Sequence, residues 1–162
     1  MSHHDSDVLR ERAARLAAPP ARTGQPPLEL IAFDVGASTY AVPLSEVRAV
    51  LHETVTPMPG VAGWIAGAVN VRGTLVSVIE PARVLGLPAP PELAQEQAAS
   101  TILLLESRFG PVGVRLHAPP ELLRLAQPDS AAPLPGQTGV SSVLMGRIAV
   151  LDIGEILEAR KV

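Results

Sequence analysis

Two stretches of the chain set histidine near carboxylate in a way that suggests catalysis or metal binding. His52-Glu53-Thr54-Val55-Thr56 opens like the HExxH helix of zinc proteases, where histidines four residues apart share one face and the glutamate acts as base. Position 56 is Thr, so the second ligand is missing and no metal site is expected. His3 and His4 are adjacent near the terminus, and two neighbouring side chains there make a poor metal site. His117 with Glu121 or Asp152 would give a small hydrolase an acid–base pair, provided the fold gathers them in one cleft. Glu80 and Asp152 each stand where an apolar strand passes into a helix, so capping and the helix dipole account for them without catalysis. The chain has no G-x-S-x-G elbow, no G-x-x-x-x-G-K-[ST] loop and no G-x-G-x-x-G fingerprint. It has no cysteine, hence no thiolate chemistry and no disulfide. No catalytic residue, cofactor or metal is expected, and binding comes ahead of catalysis.

Arg72 is the side chain most in need of a role. It sits in Gly67-Ala68-Val69-Asn70-Val71-Arg72-Gly73, inside the most apolar part of the chain. A hairpin turn reconciles the two. Asn70 and Gly73 tolerate the left-handed or tight backbone of such a turn, the apolar flanks enter a sheet, and Arg72 points into water or against a partner. Gly63 and Gly67 are expected to relieve crowding where a strand bends.

The elements around it must be mostly strands. The aromatics, Phe33, Tyr40, Trp64 and Phe109, are few, so Val, Leu, Ile and Ala fill the core of this 162-residue chain. Such residues suit small barrels better than thick layered folds. Net charge is −3, and the 13 basic residues, all arginine except Lys161, form no stripe, which argues against a nucleic-acid partner. The apolar run around residues 60–71 is too short to span a bilayer, and the N-terminus lacks the apolar centre of a secretory signal. A soluble cytoplasmic protein with no direct membrane insertion is expected.

Residues 7–17 read as a short amphipathic helix with Asp7 as N-cap, and APPARTGQPP as a stiff linker. LELIAFDV and YAVPL form a hairpin around GAST; SEVRAVL is open between a helical turn and a strand. Strands follow at 65–71 and 74–79, then a helical turn or two in EPARVLGL. TILLLE with PVGVRL, and VSSVLM with IAVLD, make two further hairpins, and IGEILEARKV a closing helix. The Pro-rich stretch AQPDSAAPLPGQTG is expected to be a mobile loop. GTLVSVIEPARVL and GRIAVLDIGEIL repeat weakly, with Gly73 matching Gly146 and Glu80 matching Asp152. Two strand-rich units of about 60 residues bury too little surface individually, so they should pack together.

The ordered run from Ile31 to Glu80, followed by Leu85-Gly86, resembles the CheW-like family, adaptor proteins of bacterial chemotaxis. Its motif series is carried by Phe33, Gly36, Tyr40, Val42 and Pro43, then Val47, Val50 and Pro59, then Gly67, Asn70, Arg72, Gly73 and Glu80. The second half is also similar, and the resemblance spans roughly residues 28–157. It implies a mainly β chain: two intertwined five-stranded SH3-like barrels with short helices and an N-terminal helical arm. On that reading residues 1–27 are the arm, 28–88 the first barrel, 89–100 a linker, 101–153 the second barrel and 154–162 a C-terminal helix. It further implies no enzymatic activity and no cofactor. The implied partners are the regulatory domain of the histidine kinase CheA and the cytoplasmic tip of a methyl-accepting chemoreceptor, in receptor arrays at the inner membrane.

By position, Val47, Val50, Asn70 and Arg72 fall in the family's receptor-associated region of the first barrel, and Leu122 in that of the second; Gly67 and Gly73 belong to the turn motif. From the residues themselves Val47, Val50 and Leu122 read as core. The chain also departs from the family. Ala49 stands where a glutamate usually faces the turn arginine, Arg83 is displaced by one position, and His117 and Pro119 replace a usual Asp and Val. Pro119 can donate no ladder hydrogen bond. These changes leave open a CheW-like scaffold in a pathway other than swimming chemotaxis, one controlling surface motility, development or gene expression.

Overall fold

The computed structural model describes residues 26–88, 99–126 and 128–160. The helix expected at 7–17, His3 and His4, and most of the expected linker lie outside the described residues.

Gly36 and Ala37 turn β1 (Leu28–Val35) into β2 (Ser38–Pro43), with Val35 opposite Ser38. The ambiguous SEVRAVL proves to be both forms in succession, a 3-10 turn at Leu44–Glu46 and then β3 (Val47–Glu53). β4 (Ile65–Val71) and β5 (Thr74–Ile79) close on the Arg72-Gly73 turn. α1 (Pro81–Val84) follows, with proline at a helix start where its missing N–H costs nothing. The second half repeats the plan as β6 (Ser100–Ser107), β7 (Gly110–Leu116), β8 (Glu121–Leu125), β9 (Ser130–Ala131), β10 (Val140–Leu144), β11 (Ile148–Leu151) and α2 (Ile153–Arg160).

The halves exchange strands. One sheet has the order β8-β1-β2-β11-β10-β9 and the other β3-β6-β7-β5-β4. Each therefore takes a hairpin from one half and the remaining strands from the other. The exchange obeys a two-fold equivalence: β5 runs parallel to β7, and β11 runs parallel to β2. The sequence repeat falls on those strands, since Gly73 precedes β5 and Gly146 precedes β11. Past β3, Thr56 bridges to β4 through reciprocal hydrogen bonds with Ala68, both 2.9 Å. That bridge brings the two edges of the five-stranded sheet together. In the other sheet, Leu125 at the end of β8 lies only a few residues before β9, the opposite edge.

Three apolar clusters explain why LIAF in β1 and ILLL in β6 are continuously apolar rather than alternating. Leu30 and Ala32 pack with Leu144, Ile148 and Val150, within the six-stranded sheet. Ile102 and Leu104 pack with Val55, Val69, Val76 and Val78, within the five-stranded one. The alternate residues of β1 and β6, Phe33, Val35, Leu103 and Leu105, meet in a central core that also takes Ile153 and Ile156 from α2. Both faces of these strands are buried, which is the usual origin of unbroken apolar runs.

Two expectations need correcting here. ELLRL, which carried no strand assignment, is β8 and pairs with β1, Leu122 opposite Ile31. The Pro-rich loop after it, expected to carry no strand, contributes the two-residue β9 at the edge of the six-stranded sheet. Pro119 costs no ladder bond, because it lies between β7 and β8 and belongs to neither.

Candidate functional site

The β4–β5 turn is tighter than its sequence suggests. Val71 faces Thr74 across the ladder, leaving Arg72 and Gly73 as a two-residue turn at φ 50° and φ 84°. Positive φ at both central positions is the hairpin geometry that matches strand twist. The left-handed non-glycine residue is thus Arg72, not Asn70. Asn70 is the last residue but one of β4 and exposed, and it shapes the turn through its side chain: Oδ1 accepts the Gly73 N–H at 2.8 Å. The second copy has the same strained pair, Met145 at φ 51° and Gly146 at φ 67°. The left-handed pair thus recurs, but Leu144 faces Ile148, so the second turn holds a third residue, Arg147. Arg72 is exposed, and among the described residues no carboxylate lies within ion-pair distance of it. Opposite Asn70 stands Leu75, an apolar neighbour 74% exposed.

Gly67 is needed for a different reason. A Cβ there would lie 2.2 Å from the Thr56 carbonyl oxygen, the atom that accepts from Ala68 in the closing bridge. The ladder between β4 and β5 shifts register at this same point, between Ile65 and Gly67.

The edge strands β3 and β8 carry the remaining candidates. Val47 is partly buried and packs on the central core, as its type suggests. Val50 and Leu122 do not behave as core: they are 52% and 48% exposed. Each sits on an edge strand, at the rim of the face that carries the central core, where an apolar residue is indistinguishable from a core residue by pattern alone. Val50 opposes Leu103 on β6, Leu122 opposes Ile31 on β1, and Leu103 and Ile31 are equivalent under the two-fold relation. The two side chains are therefore a matched pair, one from each sheet. Ala49 points the other way, into the cluster of Val69, Val76 and Ile102. Arg48, beside Val50, pairs with Glu106 at 3.5 Å.

At the far end of β5 from Arg72 lies a polar group that replaces the expected helix cap. Glu80 makes no side-chain cap bond to α1; it is fully buried. His117 Nε2 stands 3.0 and 3.1 Å from its two oxygens, and Arg115 Nη1 is 4.0 Å away. Val76, Val78 and Glu80 alternate toward one face, as do Gly113, Arg115 and His117 on the neighbouring parallel strand, so the pleat drives all three polar groups together. Arg115 is buried with its Nε unpaired, while the His117 side chain keeps 23% exposure. Asp152 does cap, accepting the Glu155 N–H at 2.9 Å. The hydrolase pairing of His117 with Glu121 or Asp152 is not what the fold makes, since His117 is engaged with Glu80. Arg83, displaced in sequence, donates to the Gly63 carbonyl at 2.8 Å and ties α1 to the approach to β4. Among the described residues no three His, Asp or Glu side chains converge to hold a metal, and no helix is long and apolar enough to cross a membrane.

The pattern of paired motifs on exchanged sheets has a counterpart in known proteins. The family model of the CheW-like domain matches residues 29–161. The chain belongs to the CheW-like family. Among relatives, this CheW-like chain is 36% identical over 86 residues to Protein PilI of Pseudomonas aeruginosa, covering 51% of this chain and 48% of that one. It is 28% identical over 102 residues to the chemotaxis protein CheW of Rhizobium meliloti, covering 62% and 63%. Against a probable chemotaxis protein CheW of Rhizobium etli the figures are 32% over 97 residues, covering 59% of each. The matches thus span between about half and just under two thirds of these relatives' lengths. The crystal structure of the scaffolding protein TtCheW from Thermoanaerobacter tengcongensis superposes with a TM-score of 0.71 at 18% identity, over 83% of this chain and 94% of that one. That likeness establishes a shared fold, mainly β in two sheets.

Proposed function

We propose that this CheW-like chain is a non-enzymatic adaptor joining the cytoplasmic tip of a methyl-accepting chemoreceptor to the regulatory domain of a CheA-type histidine kinase. The observation that carries this reading is the matched pair Val50 and Leu122, two apolar side chains exposed at equivalent places on the two edge strands. Single exposed apolar residues are ordinary, but a symmetry-related pair on free strand edges suits apolar partner contacts. Arg72 and Asn70 at the exposed turn, with Leu75 beside them, add a charged and directional contact. In this reading Val47, Val50, Asn70, Arg72 and Leu122 serve the receptor, and the protein works in the cytoplasm.

Calorimetry of the full chain with a receptor cytoplasmic fragment and a kinase regulatory domain from the same genome is the test. Val50→Glu and Leu122→Glu should each weaken receptor capture at least tenfold while the fold persists. If neither partner binds the parent chain, the adaptor reading is lost.

The pathway has a second reading. One relative is named PilI and the others chemotaxis proteins. A scaffold for a chemosensory pathway governing surface motility, development or gene expression is therefore the alternative. A deletion strain that swims up attractant gradients normally would favour it.

A further inference from the structure

The face of the six-stranded sheet that carries the central core is not covered to its edge. Beyond the core lies a groove of about 680 Å³. Across it runs a row with one residue from each of four strands: Tyr40 opposite Ala149, Ala149 opposite Val143, Val143 opposite Ala131. Two alanines in that row leave depth where larger side chains would fill it. Val84 and Leu85 at the end of α1 form one wall, and Leu134, 70% exposed, stands at the other lip.

The charge lining the groove is one-sided. Among the described residues its only charged side chains are Arg147 and Arg160. Arg160 is held against the wall by donating from Nη2 to the Val84 carbonyl at 2.5 Å, and neither arginine pairs with a carboxylate among the described residues. The other arginines of the second half that meet a carboxylate do so elsewhere: Arg108 with Glu158, Arg115 with Glu80, Arg124 with Glu29. In a chain of net charge −3, two uncompensated cations at one apolar groove make it complementary to an acidic partner.

We propose that this groove docks an acidic segment of a partner protein. The segment lies across the strands with an apolar side chain on the Tyr40–Ala149–Val143 row and carboxylates on Arg147 and Arg160. Three strand spacings of about 4.8 Å give the floor a length of roughly 14 Å, which about four extended residues cover. A small-molecule site would enclose most of its ligand, whereas Leu134 at the lip of this groove is left largely exposed. The proposal goes beyond the adaptor reading, because none of Val50, Asn70, Arg72 or Leu122 lines this groove.

The test is a nitrogen-15 NMR titration of the full chain with two synthetic twelve-residue peptides of equal leucine and alanine content. One carries glutamate at its charged positions and the other lysine. The glutamate peptide should shift the amides of Tyr40, Val143 and Ala149, and Arg147→Glu should weaken its binding at least tenfold with the spectrum elsewhere unchanged. Arg160→Glu should act in the same direction and Arg147→Lys should restore part of the affinity. Equal shifts from the lysine peptide would make the groove merely sticky. Saturation of the same amides by free glutamate or inorganic phosphate would make it a small-anion site. No shift at those amides with the glutamate peptide would remove the docking assignment altogether.

Discussion

Arg72 carries its charge at a place where the backbone resists any side chain. The left-handed conformation costs an L-residue on the order of 1–2 kcal/mol, yet Met145 bears the same cost in the second copy. Arg72→Ala keeps that backbone and removes only an exposed, unpaired guanidinium. Its stability in urea should stay within about 0.5 kcal/mol of the parent, while, under the proposed adaptor function, assembly with receptor and kinase weakens. A lowered unfolding midpoint with assembly unchanged would make Arg72 structural. Gly73→Val, by contrast, puts a β-branched residue at φ 84° and should cost about 1–2 kcal/mol without touching the contact surface chemistry. Glu46 gives a residue-scale prediction of a different kind. Burial, and secondly the charge of Asp152, push its carboxyl above the ordinary carboxylate range. A raised pKa means the folded state binds the proton more tightly than the unfolded one. Stability from this group is therefore present at low pH and is lost as pH rises through the folded value. Glu46→Gln should raise the thermal midpoint at pH 7, and the difference from the parent should shrink on acidification. A difference constant between pH 3 and 7 would refute the linkage.

At the scale of elements, two contacts hold the five-stranded sheet, one across its closing edges and one between β5 and β7. Gly67→Ala forces a methyl into the Thr56 carbonyl, and overpacking of this kind costs about 1–3 kcal/mol. Hydrogen exchange should show the loss locally, with the Thr56 and Ala68 amides deprotected before those of β6 and β7. Where β5 meets β7, Glu80→Leu leaves the Arg115 guanidinium buried without its counter-charge. Removing one member of a buried pair costs about 3–5 kcal/mol, and adding Arg115→Leu should recover much of it. If the double variant is no more stable than the single one, the pair does not hold this junction. These contacts also mark the limit of what could be read from the sequence. β1, β2, β4 and β5 were legible because turn residues bracket each apolar run. β8 was not, since Pro119-Pro120 precedes it and ELLRL has no clean alternation. Glu80 was misread because a carboxylate before a proline-led helix signals a cap. Only the pairing of β5 with β7 reveals Arg115 and His117 beside it. Val50 and Leu122 were placed by resemblance, and their exposure follows from edge positions that no single-strand pattern encodes.

For the whole molecule, the exchange of strands makes the two repeats mutually dependent. β3 has β6 as its only strand neighbour in its sheet, and apart from the Thr56–Ala68 bridge the β4–β5 hairpin reaches the rest of that sheet through β7. In the other sheet, β8 depends in the same way on β1, and β11 on β2. A fragment ending at residue 88 would thus keep the β1–β2 and β4–β5 hairpins but lose every second-half strand that pairs with them, and its Phe33, Val35 and Val42 would lose the second-half part of their core. Isolated hairpins are marginal in water, and each half alone is below the size at which a single core is secure. Fragments divided between residues 88 and 99 should each give collapsed or disordered NMR spectra alone and recover the parent's dispersed spectrum when mixed. The intact chain should unfold in urea in one step, with the single Trp64 in the first half and the far-ultraviolet signal of both halves changing together. A well-dispersed spectrum from either fragment by itself would show that one repeat folds alone. The exchanged strands would then be a late docking event rather than the basis of the fold. Two separated transitions in the intact chain would lead to the same conclusion. The outcome bears on function because Val50 and Leu122 lie on strands that each half lends to the other's hairpin. A surface built from both can exist only when the whole chain has folded, so assembly of a signalling complex would report on complete chains and exclude partial ones.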